Sequence, residues 1–164
     1  MLGEEHPDTA TTMNNLALNL DNQGQYDKAE TLYRDVLSIW RKMLGEEHPS
    51  TATTMNNLAL NLDNQGQYDK AERLYRDVLS IERKVLGEEH PSTANTMHNL
   101  AANLWHQGQY DKAEGYFKDA LSIWRTKLGK GHPHTQQTAK NLITLYQKMG
   151  QAAKADVIKK DYLS

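Results

Sequence analysis

Cysteine is absent from this chain of 164 residues. That absence excludes a disulfide framework, a thiolate nucleophile and a cysteine-ligated zinc site. A large charge excess is missing too, because the formal net charge is −2, and nothing in this balance favours nucleic acid or an anionic membrane as a partner. No apolar run reaches the ~20 residues of a membrane-spanning helix, and the first residues do not resemble a signal peptide. We therefore expect a cytoplasmic protein with no membrane and no nucleic acid among its partners.

What the chain does contain is a short motif that returns at a constant interval. The motif LGEEHP occurs at residues 2–7, 44–49 and 86–91, and its fourth copy, at residues 128–133, has the sequence LGKGHP. The first two 42-residue repeats differ at four positions, and the second and third differ at 13. A fixed period of this size indicates stacked repeats that bury their apolar faces against one another. We predict one array over residues 1–164, with repeats at 2–43, 44–85, 86–127 and 128–164.

Each repeat has the pattern of two helices, which is clear in the second repeat. Pro49 suits a first helical position, where its missing N–H is not needed. Apolar residues then follow at helical spacing, at Met55, Leu58, Ala59 and Leu62. Gly66 is typical of a left-handed cap, and a second helix with a broad apolar face begins near Tyr68. We predict an all-α fold.

The frame NNLALNLDNQGQYDKAETLYRDVLSI, residues 14–39, resembles a tetratricopeptide repeat. The signature consists of an Asn-Leu-Ala segment followed at fixed offsets by Gly24, Tyr26, Ala29 and Tyr33. The 42-residue period and the LGEEHP linker are similar to the kinesin light chain type of this repeat. The resemblance implies a right-handed α-solenoid of four helix-turn-helix repeats. It also implies a non-enzymatic scaffold that binds a protein or peptide in a concave groove lined by the first helix of each repeat.

The second and third repeats differ along one side of the first helix. The five differing pairs are Thr53/Asn95, Asn56/His98, Leu60/Ala102, Asp63/Trp105 and Asn64/His106. On a helical wheel these positions fall within an arc of about 100°, opposite the apolar stripe. We call these positions, and their counterparts 42 residues apart in the other repeats, the variable face. Trp105 beside His106 would suit an apolar or acidic side chain, but drift on an unconstrained surface would also explain the differences.

By the same resemblance, the variable face and the asparagines beside it line the concave groove. The candidate peptide-binding residues are Asn14, Asn15, Leu18, Asp21, Asn22, Asn56, Asn57, Leu60, Asp63, Asn64, Asn95, His98, Asn99, Trp105, His106, Lys140, Asn141 and Lys148. The asparagine at positions 15, 57, 99 and 141 could pair with a peptide backbone or could tie adjacent helices together. An imidazole of this set that pairs with an acidic ligand would make binding tighter as the pH falls.

The first two repeats depart from the kinesin light chain pattern. They place Asp21 and Asp63 where that family has a basic groove, and only the last repeat supplies Lys140 and Lys148. Kinesin light chain grooves accept tryptophan-plus-acidic peptides. We therefore expect a different class of ligand here.

No other motif predicts chemistry. The histidine that precedes each helix-starting proline, at positions 6, 48, 90 and 132, recurs once per repeat and favours a linker over a metal site. No nucleophile, base and acid have a recognisable spacing, and no glycine-rich loop suits a phosphate. We expect no enzymatic activity, no metal and no cofactor. One position is occupied in turn by Trp40, Glu82 and Trp124, and we expect it to be partly exposed because a buried unpaired carboxylate is costly.

The two ends of the array differ. In the last repeat, Ala152 and Lys159 replace the aromatic residues of the other repeats, as suits a C-terminal cap. The first repeat starts without a cap, so we expect a piece of a longer protein and end-to-end self-association through Met13, Leu16 and Leu20. Two alternative interpretations stay open. One is a structural spacing or self-assembly array within a larger nucleotide-binding, NLR-like signalling protein, and the other is an engineered repeat protein.

Overall fold

The computed structural model describes residues 6–163, and the regular structure in that range is helical throughout. The eight helices of the described residues are α1 (Pro7–Asn22), α2 (Tyr26–Leu44), α3 (Pro49–Asn64), α4 (Tyr68–Val85), α5 (Pro91–His106), α6 (Tyr110–Leu128), α7 (Pro133–Lys148) and α8 (Ala152–Tyr162). They form four consecutive pairs that follow the 42-residue period. The predicted all-α fold is confirmed. None of these helices is long and apolar enough to cross a membrane.

The first helix of each pair begins at the proline of the repeated motif, and the preceding histidine caps it. His48 is the N-cap residue of α3, and its Nδ1 accepts a hydrogen bond from the backbone N–H of Ser50 at 3.1 Å. The same bond, at 3.1–3.3 Å, is made by His6, His90 and His132. One of the amide groups that a helix start leaves unpaired is thereby satisfied. The recurring histidine thus has a more specific role than the predicted linker.

The turn within each pair requires left-handed backbone. Gly66 has a φ of 73° and follows Gln65, the C-cap residue of α3. A side chain with a Cβ would strain this conformation by about 1 kcal/mol, which is why glycine is favoured there. The prediction that Gly66 is a left-handed cap is confirmed.

The chain divides into two compact units, Met1–Val85 and Leu86–Ser164, and each holds two helix pairs. In the first unit, α3 packs against both α2 and α4. In the second unit, α7 packs against both α6 and α8. The predicted apolar stripe of α3 is buried in this packing, and Tyr75 of α4 is buried with it.

A buried asparagine joins the two repeats of the first unit. The Nδ2 of Asn61 donates to Oδ1 of Asp21 at 3.2 Å and to the carbonyl oxygen of Tyr26 at 3.1 Å. Its Oδ1 accepts from Nε2 of Gln65 at 2.7 Å. The equivalent Asn19 in the first repeat is exposed and accepts from Gln23, the C-cap residue of its own helix α1. The asparagine at this position is therefore a link between repeats, which the sequence pattern did not reveal.

The prediction that Trp40, Glu82 and Trp124 are partly exposed is wrong. Their exposed fractions are 7%, 7% and 2%. The ring of Trp124 stacks on His134 with centroids 4.8 Å apart, and it lies 5.6 Å from the ring of His98. Trp40 lies in a core cluster of the first helix pair. Helices of two repeats enclose Trp124, and such a contact between repeats cannot be read from one repeat alone.

Replacing Asn61 with alanine should destabilise the protein by about 1–3 kcal/mol, because the carboxylate of Asp21 and the carbonyl of Tyr26 would lose a buried donor. Asn19→Ala is the matched control and should change the free energy of unfolding by less than about 0.5 kcal/mol, as expected for an exposed site. Urea unfolding followed by circular dichroism measures both. Equal losses for the two variants would contradict the proposed link.

Candidate functional site

The variable face of the first unit is partly open to solvent. Leu18 on α1 and Leu60 on α3 occupy equivalent positions and are 43% and 40% exposed. Asn22 and Asn64, also equivalent to each other, are exposed beside them. This part of the face therefore offers apolar side chains next to amides.

Asp21 does not lie on the open part of this face. Its side chain is 8% exposed, because Asn61 and Asn64 of α3 cover it and donate hydrogen bonds to its carboxylate. Burial raises the pKa of Asp21 above its ordinary value, although the bonds from the two asparagines act in the opposite direction. The carboxylate of Asp21 is therefore withdrawn from the groove floor, whereas Asp63 stays half-buried on the variable face.

The replacement of Asp63 by Trp105 is coupled to a second difference. In the second repeat, burial and then the charge of Asp63 raise the pKa of the buried Tyr75. In the third repeat, Trp105 meets Phe117 edge to face, with ring centroids 6.5 Å apart. The third repeat thus lacks both the carboxylate of Asp63 and the hydroxyl of Tyr75, and it has the rings of Trp105 and Phe117 at these positions. Part of the difference at this position is therefore explained by packing within the repeat.

The open part of the variable face in the second unit has different chemistry. His106, Lys140 and Lys148 are exposed, and Trp105 is half-buried. An indole and cationic groups on one side of α5 and α7 suit a ligand with acidic and apolar groups.

His98 lies at the contact between α5 and α7. Its Nδ1 is 2.9 Å from Oγ1 of Thr138, and its Nε2 is 3.5 Å from Nδ2 of Asn141. The ring also meets Phe117 edge to face, with centroids 5.3 Å apart. Both ring nitrogens are thus directed at groups of the neighbouring repeat. His98 therefore positions α7 against α5. The sequence pattern had predicted instead that it contacts the ligand directly.

The environment of His98 also fixes its charge. Burial, with a smaller contribution from the nearby His134, lowers its pKa to about 4. The imidazole is consequently neutral near pH 7 and stays so in mildly acidic solution. Tighter binding at lower pH cannot be attributed to this side chain.

The recurring asparagines differ in exposure along the chain. Asn15 is exposed, whereas Asn57, Asn99 and Asn141 are half-buried. The Oδ1 of Asn141 accepts from Nε2 of Gln137 at 2.9 Å, and its Nδ2 faces the histidine at the helix contact. A role in tying helices together is therefore seen at Asn141, and pairing with a peptide backbone stays a prediction.

Acidification should destabilise the protein through His98. The unfolded chain binds a proton near the ordinary imidazole pKa, whereas folded His98 does so only near pH 4, so protons favour the unfolded state between these values. Stability should fall by about 2 kcal/mol more for the parent than for His98→Asn between about pH 7 and pH 5. Urea unfolding at each pH measures the difference, and the asparagine is the residue that the second repeat carries there. Identical pH slopes would contradict the buried neutral imidazole.

A family model for the tetratricopeptide repeat matches the chain at residues 8–84, 64–126 and 92–163. Among solved structures, the nearly identical TPR-like repeats of a Podosopora anserina protein described as a kinesin light chain are 29% identical, with a TM-score of 0.87. This match covers 96% of the present chain and 74% of that one. No curated protein matches the sequence.

Two further structures share the fold. BtubC (BKLC) from P. vanneervenii is 28% identical with a TM-score of 0.85, over 96% of this chain and 63% of that one. Aspartyl phosphate phosphatase F from Bacillus subtilis is 18% identical with a TM-score of 0.84, over 95% of this chain and 39% of that one, and shows likeness of fold alone. The predicted resemblance is confirmed: the chain belongs to the tetratricopeptide repeat family, with repeats of the kinesin light chain type, a family of all-α solenoid scaffolds for protein interaction.

Proposed function

We propose that this scaffold binds peptide segments of a partner protein along its variable face and catalyses no reaction. The observation that carries the proposal is the half-buried Trp105 with exposed His106, Lys140 and Lys148 in the second unit. Trp105 is held on one side by Phe117, so the indole is a pre-positioned apolar anchor. The lysines supply positive charge for carboxylates.

The variable face has different chemistry in each of the two units. The first unit offers Leu18 and Leu60 among amides, and its Asp21 is withdrawn from the surface. This patch suits an apolar side chain, although Asp63 remains partly exposed beside it, whereas the lysines of the second unit suit carboxylates. The expectation of a ligand unlike that of kinesin light chains therefore applies to the first unit. We propose that specificity comes from the second unit, because its repeats differ most from each other on this face.

A peptide-library selection on a matched pair of proteins tests this proposal. The variant carries Trp105→Asp, His106→Asn and Phe117→Tyr, which together recreate the residues of the second repeat, including the carboxylate and hydroxyl that occur together there. Peptides selected on the parent should bind the variant at least about tenfold more weakly, as expected when an aromatic anchor is lost. Fluorescence polarisation measures the affinities.

Thr53→Asn is the control, because it places the residue of the third repeat on the variable face of the first unit and leaves Trp105 untouched. It should retain the selected peptides. Circular dichroism should give the same helix content for all three proteins. Enrichment of the same peptides on parent and triple variant, or of none on the parent, would contradict the proposal.

Self-assembly is the second candidate function, and exposure of one leucine favours it. Leu16 on α1 is 51% exposed, whereas the equivalent Leu58 on α3 is 2% exposed within the first unit. Met13 and Leu20 on the same stripe are half-buried. An apolar stripe that is buried in one repeat and open in its near-identical neighbour suits association with another repeat surface.

Leu16→Gln should therefore weaken self-association, because it removes the most exposed leucine of this stripe. Sedimentation velocity over a range of protein concentrations measures the effect, and the parent should sediment faster as concentration rises. Leu18→Gln is the matched control, since Leu18 is also exposed but lies on the variable face. A parent that is monomeric at every concentration would refute self-assembly without affecting the peptide proposal.

A further inference from the structure

The first unit has a groove with basic walls and an apolar floor. Helices α2 and α4 form the walls and α3 forms the floor of this open groove, whose volume is about 750 Å³. The floor contains Leu58 and Leu62, and Leu74 lies on one wall. A cavity of this size is within the range of ordinary ligand sites, about 300–1,000 Å³.

This groove lies on the opposite side of α3 from the variable face. At about 100° per residue, Leu58 and Leu62 are separated from the variable-face positions Asn56, Leu60 and Asp63 by at least about 100°, and by about 140° on average. A ligand in the groove would therefore not contact the variable face of α3. The groove is a second surface, which the comparison of repeats did not indicate.

Positive charge is concentrated in the groove. Its cationic lining residues are Arg34, Arg41, Lys42, Lys70 and Arg73, and no carboxylate is among the lining residues. The whole chain has 19 lysines and arginines against 21 acidic residues. A lining with five cations and no acid is therefore a local feature of this site.

Two of the cations already bind carboxylates at the edge of the groove. The Nη2 of Arg34 is 2.8 Å from Oε1 of Glu30, one turn away on α2. The Nε of Arg41 is 2.6 Å from Oε2 of Glu46. Hydrogen bonds from Gln65 and then Arg34 lower the pKa of Glu30, although burial opposes its ionisation. These two arginines are oriented by their carboxylate partners, which neutralise most of their charge.

Lys70 and Arg73 are differently placed. The ammonium of Lys70 donates to the neutral side-chain oxygen of Gln67 at 2.6 Å, and its charge also acts on Glu30. Arg73 makes no hydrogen bond or ion pair with any residue from 6 to 163. Both side chains are exposed on the α4 wall, three residues apart and so on one side of the helix.

The corresponding residues of the second unit do not offer two cations without carboxylate partners. Lys154, the counterpart of Lys70, forms an ion pair with Glu114 at 3.2 Å and lies 5.2 Å from the ring of Tyr146. The counterpart of Arg73 is Val157. The charge of Arg73 is therefore not repeated in the second unit, and the charge at the position of Lys70 is matched there by a carboxylate.

We propose that this groove binds an acidic segment of a partner protein, whose carboxylates pair with Lys70 and Arg73 while an adjacent apolar side chain contacts Leu74. The leucines of the floor favour a peptide over a lipid acyl chain. Leu58 and Leu62 are almost completely covered and Leu74 is half-buried, so the groove accommodates one or two side chains of a segment lying along α4. Exposed pairing of this kind is weakened by salt, so binding is strongest at low ionic strength.

Fluorescence polarisation with a defined probe tests the proposal. The probe is a dye-labelled helical peptide of about four turns with glutamate and leucine on one side, and its control has glutamine in place of each glutamate. Lys70→Gln with Arg73→Thr should weaken probe binding at least about tenfold, the loss of one or more charge-assisted contacts. Threonine is the residue that the first repeat carries at this position, Thr31, so the helix should tolerate it.

Lys28→Gln is the matched control. Lys28 is the first-repeat counterpart of Lys70, is exposed, and donates to Gln25 at 2.8 Å in the same way, but it lies outside the groove. It should bind the probe like the parent. Adding Lys70→Gln and Arg73→Thr to the Trp105→Asp, His106→Asn, Phe117→Tyr variant should weaken probe binding by the same factor as in the parent, which separates this site from the variable face.

Three results would overturn the proposal: no binding of the probe by the parent, equal weakening by Lys28→Gln, or equal binding of the glutamine control peptide. Vesicles containing phosphatidylserine provide the remaining arm. Loss of vesicle binding in the Lys70→Gln, Arg73→Thr variant without any effect on the peptide would assign the groove to lipid headgroups instead.

Discussion

The first unit depends on the burial of one apolar stripe, that of α3, between α2 and α4. A single helix pair cannot cover both sides of its first helix, so each repeat needs a neighbour. The contrast between Leu58 and Leu16 shows this requirement, because the same residue in nearly identical sequence is buried in one repeat and half exposed in the other. The difference is that α3, which carries Leu58, packs against the helix α2 of the preceding repeat as well as against α4.

That constraint also determines which sides of the helices are free to vary. With its apolar stripe packed against α2 and α4, α3 leaves the variable face on one side, and Leu58 and Leu62 of the stripe form the floor of the groove between those two helices. Residues on either surface can change without altering the packed stripe, as the difference between Thr31 and Arg73 illustrates. The repeat fold therefore separates stability from surface chemistry.

The helices could be predicted from the sequence because their signals are local. Periodic leucines, the motif proline and Gly66 each act within one or two turns, and the structure places the helix boundaries where these residues indicate. The contacts between repeats could not be predicted, because they join residues about 40 positions apart. Nothing in the sequence around Asn61 indicates its hydrogen bond to Asp21 in the preceding repeat. Likewise, nothing around Trp124 indicates that His134 of the following repeat stacks on it.

The same limitation applies to the variable face, where residues were assigned to one surface by helical position alone. Within that arc, Asp21 is buried by hydrogen-bond donors of the next repeat and His98 serves the contact between α5 and α7. Substitutions there act partly through packing, and only the outermost side chains can act through a ligand alone. The replacement of Asp63 and Tyr75 by Trp105 and Phe117 shows both effects. It brings two aromatic rings into edge-to-face contact within the repeat, and it leaves a half-buried indole on the variable face where the second repeat has a carboxylate.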